Sequence, residues 1–132
     1  MRDIKFRVWD NIAKKYIDSR YVSISGLGLL HVAKCIIKNC FRPLHTRKNP
    51  WFIVEQYTGL RDKNGVNIYE GDIVKYDDNV SEVFYDSEQA CFNVSGFYDG
   101  LQDYPTMAFS ECANVSMEVI GNIHEMNTEE IK

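Results

Sequence analysis

At 132 residues, with 45% hydrophobic and 26% charged, the chain has the composition of one ordinary globular domain and is short for two. Its four cysteines are too sparse for a disulfide framework, which leaves reduced thiols as the expectation. The formal net charge of −4 argues against a general polyanion binder, but it hides an asymmetry. Residues 1–50 hold eleven Lys and Arg against three acids, a balance of +8; residues 51–132 hold four against sixteen, a balance of −12. Three arrangements satisfy that split. The two parts neutralise each other within one chain, the basic part of one copy meets the acidic part of another, or the basic part faces a polyanion.

The chain opens on alternation. Ile4, Phe6 and Val8 fall on one side of a predicted strand and Lys5, Arg7 and Trp9 on the other. A signal peptide needs an unbroken apolar run, and this start has none. Asp10-Asn11 breaks the strand, 14–17 returns as the second arm of a hairpin, and 21–25 is a further short strand. Over 29–40 the apolar residues Leu29, Val32, Cys35, Ile36 and Cys40 recur at threes and fours, which predicts one short helix ended by Pro43. The longest apolar-leaning stretch, 26–33, falls far below the ~18 residues of a membrane span.

Residues 51–76, WFIVEQYTGLRDKNGVNIYEGDIVKY, follow strand, turn, strand, turn and strand without a gap. The first strand is β-branched and aromatic. Asp62-Lys63-Asn64-Gly65 supplies a turn in which Gly65 can take positive φ, and Glu70-Gly71-Asp72 supplies the next. Asp77-Asp78-Asn79 turns again, and 82–85 with 90–94 form a second hairpin across Asp86-Ser87-Glu88-Gln89. Residues 95–105 have no clear period, 106–109 suit a short strand, and 115–124 form a last strand with Gly121 marking a bulge.

Three pieces, IKFRVWD at 4–10, QYTGLRDKNGVNIYEGDIV at 56–74 and VIGNIHE at 119–125, resemble in order and spacing the YopX-like family of bacteriophage and prophage proteins. The resemblance implies a mainly β protein with a small Src-homology-3-like barrel, encoded by a phage or prophage and acting in the bacterial cytoplasm. It implies no catalytic residues. A closed barrel would also remove the exposed strand edges that a β protein of this size must manage.

The candidate chemistry is thin. His31, Cys35, Cys40 and His45 offer zinc donors, but Cys35 and Cys40 lie well over 90° apart on a helix and the spacing matches no paired-ligand knuckle. Glu70, Asp72, Asp77, Asp78, Glu82, Asp86 and Glu88 form an acidic series open to a divalent metal, yet several fall in turns, where Asp72 is expected to bind backbone amides. No nucleophile elbow or phosphate-cradling loop accompanies His31, His45 and His124. Lys5, Arg7 and Trp9 share a strand face, with Lys14, Lys15, Arg42, Arg47 and Lys48 in the same region, and cations around an aromatic suit phosphate contact and base stacking.

The sequence therefore predicts a single non-enzymatic domain over 1–132 that is mainly β: an N-terminal hairpin, one short helix and a small barrel. A basic subregion spans 1–50 and a barrel-like region 51–126. No metal or cofactor is expected. Lys5, Arg7, Trp9, Lys14, Lys15, Arg47 and Lys48 are the candidate interaction residues. The expected partner is a second copy or another phage or host protein, nucleic acid is the alternative, and no membrane is involved.

Overall fold

The computed structural model describes residues 3–27, 30–33, 41–42, 52–94, 113–114 and 116–125, with the backbone alone at 31–33 and 41–42. The fold is mainly β, as predicted, and one sheet curls into a half-barrel. The strands are β1 (Phe6–Asp10), β2 (Lys15–Tyr16), β3 (Val22–Ile24), β4 (Leu30–Ala33), β5 (Phe41–Arg42), β6 (Phe52–Arg61), β7 (Asn67–Tyr69), β8 (Asp72–Tyr76), β9 (Asn79–Asp86), β10 (Cys91–Val94) and β11 (Met117–Asn122). Contacts divide the chain into an inserted unit, Phe6–Glu55, and a split unit, Met1–Lys5 with Gln56–Lys132.

The inserted unit begins with the predicted hairpin, pairing Trp9 with Tyr16 and Asp10 with Lys15. Its turn is built by Asp10, whose carboxylate accepts the Ile12 and Ala13 amides at 2.9 and 3.0 Å, with Lys14 at φ 55. A 3-10 turn, Ser19–Tyr21, follows, capped by the Asp18 carboxylate on the Arg20 amide. A second sheet has the order β3-β4-β5, with Ile24 opposite Leu30. Val8 and Leu30 are fully buried, and Ile17, Val22, Ile24, Phe52 and Val54 pack on them.

The helix predicted over 29–40 is corrected at its start, because Leu30–Ala33 is strand β4; residues 34–40 lie outside the described residues. Leu30 and Val32 alternate with a period of two, and only Val32 also belongs to the threes and fours of Leu29, Val32, Cys35 and Ile36. A three-turn helix without an N-cap has little intrinsic stability, whereas pairing with β3 satisfies the backbone directly.

In the split unit the Tyr57 amide donates to the Lys5 carbonyl at 2.8 Å. Tyr57 pairs with Tyr69 and Arg61 with Asn67, so β6 carries two more residues than β7 between those pairs, and Gly59 at φ 88 takes up the excess. The predicted turns follow, with Gly65 at φ 82 and Gly71 at φ 83. A four-stranded sheet of order β10-β9-β8-β11 covers a core of Ile68, Val74, Val83, Val94, Ala113 and Met117. The expected bulge lies in β11, where the register shifts between Val119 and Gly121. Cys91 is a free thiol, exposed at the start of β10.

Candidate interaction site

Alternation along β1 sends Val8 into the core of the inserted unit and turns Arg7 and Trp9 the other way. What Arg7 meets there is Glu55. Its Nε and Nη2 both donate to Glu55 Oε2, at 2.8 and 2.6 Å, and the Tyr16 hydroxyl donates to the same oxygen at 3.2 Å. The Glu55 side chain is 3% exposed and that of Arg7 20%. The guanidinium lies 4.4 Å from the centre of the Tyr16 ring, and Trp9 meets that ring edge-on at 5.0 Å. A carboxylate taken out of water in this way needs a cation and hydrogen bonds together, and it has both.

The predicted trio therefore does not form one open cationic face. The charge of Arg7 is matched by Glu55, and Trp9, 1% exposed, offers no open ring face for a base. Lys5 is exposed, 3.7 Å from Asp3 and 5.4 Å above the Tyr57 ring. Lys14 and Lys15 are exposed at the hairpin end, with Lys14 Nζ 2.8 Å from Asn11 Oδ1. Arg47 and Lys48 lie outside the described residues, as do Cys35, Cys40 and His45; His31 falls in β4 and Arg42 in β5. Among the described residues no three metal-ligating side chains cluster, and no helix is long and apolar enough to cross a membrane.

Several of the acids serve the backbone. Glu70 accepts the Gln56 amide at 2.7 Å, Asp72 the Tyr69 amide at 2.8 Å, and Asp86 the Glu88 and Gln89 amides. Asp62, absent from the predicted acidic series, does most. One of its oxygens takes the Asn64 and Val66 amides and the other takes Val119, each at 2.9 Å. Burial pushes its carboxyl pKa up, but the three amides outweigh that and hold it below its ordinary value.

Charge follows the structural division. The inserted unit holds nine Lys and Arg against three acids, a balance of +6; the split unit holds six against sixteen, a balance of −10. Both expose large apolar side chains, among them Phe6, Ile12 and Ile53 in the first and Val66, Ile120 and Ile123 in the second.

A family model described as YopX protein matches residues 5–129. The chain belongs to the YopX family. Among solved structures it is similar to protein EF1440 from Enterococcus faecalis, at 25% identity and a TM-score of 0.61, over 100% of both chains. It is also similar to yopX from Bacillus subtilis, at 20% identity and a TM-score of 0.49, over 96% of both chains. No curated protein matches. The YopX match runs through both charge-opposed units. Within its central motif, Asp62, Gly65, Gly71 and Asp72 each have a structural task in the turns.

Proposed function

We propose that this YopX-family chain is a non-catalytic interaction scaffold that associates with copies of itself, encoded by a phage or prophage and working in the bacterial cytoplasm. The observation that carries the reading is the division of charge, +6 on one compact unit and −10 on the other. Surfaces of opposite sign on one chain favour contact between copies, and they speed and orient that contact. The pairing of Arg7 with Glu55 and the burial of Trp9 remove two of the three groups on which nucleic-acid binding was to rest.

The test is molar mass by light scattering at low and high salt, for the natural chain and for a Lys14→Glu/Lys15→Glu variant. The reading expects an oligomer at low salt that loosens as salt rises and dissociates in the variant. A monomer under every condition overturns it. Retention of that monomer on heparin or single-stranded DNA, lost steeply with salt, would put nucleic acid in its place.

A further inference from the structure

The inserted unit carries a surface groove of about 190 Å³ walled by Phe6 of β1, Ser19 of the 3-10 turn, and Val22, Ser23 and Ile24 of β3. Val22 and Ile24 reach the groove from the packed core, and Phe6 stands 37% exposed in its wall. The groove is thus mostly apolar, with two hydroxyls, in a unit of charge +6. Such a site suits an apolar side chain carried on an acidic surface.

The split unit of the same chain displays that chemistry. Ile120 on β11 is 41% exposed and Ile123, in the turn beyond, is 37% exposed, in a segment that also holds Glu118 and Glu125. Lys63 is already engaged 3.5 Å from Glu118. At Met117 and Val119 the outer edge of β11 is already taken, since Met117 O accepts the Lys63 amide and the Val119 amide donates to Asp62.

We infer that the Phe6–Val22–Ile24 groove of one copy receives Ile120 and Ile123 of a second copy, drawn together by the opposite net charges of the two units. The inference rests on the self-association reading and adds to it the two surfaces that meet. Those surfaces differ, so the contact is heterologous: it closes as a ring or a reciprocal pair, or it runs on as a filament.

The test places a photoreactive benzophenone side chain at position 6 and mixes isotopically labelled with unlabelled protein before illumination. The expected product joins a labelled to an unlabelled copy through a fragment holding 117–125. In parallel, Ile120→Asp should weaken self-association on the order of tenfold or more, as loss of one buried large apolar side chain implies, with an unchanged melting temperature at concentrations where both proteins are monomeric. Phe6→Ser tests the other wall, in case Ile120→Asp does not fold. Adducts confined to one chain or mapping elsewhere, with Ile120→Asp and Phe6→Ser both leaving the oligomer intact, overturn the groove contact. If Lys14→Glu/Lys15→Glu still dissociates that oligomer, self-association stands without it. A monomer at all salt concentrations overturns both.

Discussion

Arg7 and Glu55, 48 residues apart in sequence, meet at 2.6 Å with the carboxylate almost wholly out of water and the guanidinium partly in it. The two partners therefore differ in what their loss leaves behind. Arg7→Ala strands a buried charge and should destabilise by about 4 kcal/mol. Glu55→Ala leaves a cation that can still reach solvent and should cost less, about 2 kcal/mol. Urea denaturation of the two variants checks the order; equal losses would mean that the burial of Glu55 does not set the cost.

Asp62 should respond both to substitution and to acid. Asp62→Asn turns one acceptor oxygen into a donor facing a backbone N–H, at a cost of about 2 kcal/mol. Because the folded carboxyl titrates below its ordinary value, its contribution is complete above roughly pH 4. It is lost as pH falls through the lowered value. Melting temperatures of the natural chain and Asp62→Asn should accordingly converge in acid and diverge above it.

Asp18 is a contrasting case. The Arg20 side chain and backbone amide hold its carboxyl at about 2, yet the pair stands in open solvent. Arg20→Ala should return the Asp18 titration, followed by carbon NMR, toward the ordinary carboxylate range and leave the melting temperature unchanged.

Gly59 tests the bulge in β6. A Cβ there would meet no heavy atom within 4 Å, so only its φ of 88° opposes a side chain. Gly59→Ala should cost about 1–2 kcal/mol, and Gly59→Asn less, because Asn tolerates left-handed backbone better. Thermal melts of the two variants decide the point; a neutral Ala would mean that the bulge can relax.

The turns were the most legible part of the chain. Asp10, Asp62, Asp72 and Asp86 sit where a carboxylate caps its own following or preceding amides, and Gly65 and Gly71 take the positive φ their turns require. Those are local relations, carried by a few adjacent residues. The partner of Arg7 was not local. Glu55 is the one charged residue in the largely apolar and aromatic run WFIVEQY, and that is the one sign in the sequence that this strand buries a charge. The burial of Trp9 was hidden for a related reason: alternation gives the same pattern whether the second face of a strand is solvated or covered. Val32 belongs both to the helical spacing from Leu29 and to the alternation with Leu30, and only pairing with β3 decides between them.

The bond from the Val119 amide to Asp62 crosses 57 residues, and the split unit also draws Lys5 onto Tyr57. During synthesis every residue of the inserted unit has emerged by Glu55 and its last strand, β6, by Arg61, whereas the split unit must hold its first residues in reserve and await β11. Until Met117–Asn122 emerges, β8 has an open edge and Asp62 lacks one of its three amides. The basic half can therefore fold during translation while the acidic half folds last and slowly, as long-range strand pairing dictates. A chain arrested before β11 would present an unpaired strand edge to chaperones, proteases and other nascent chains.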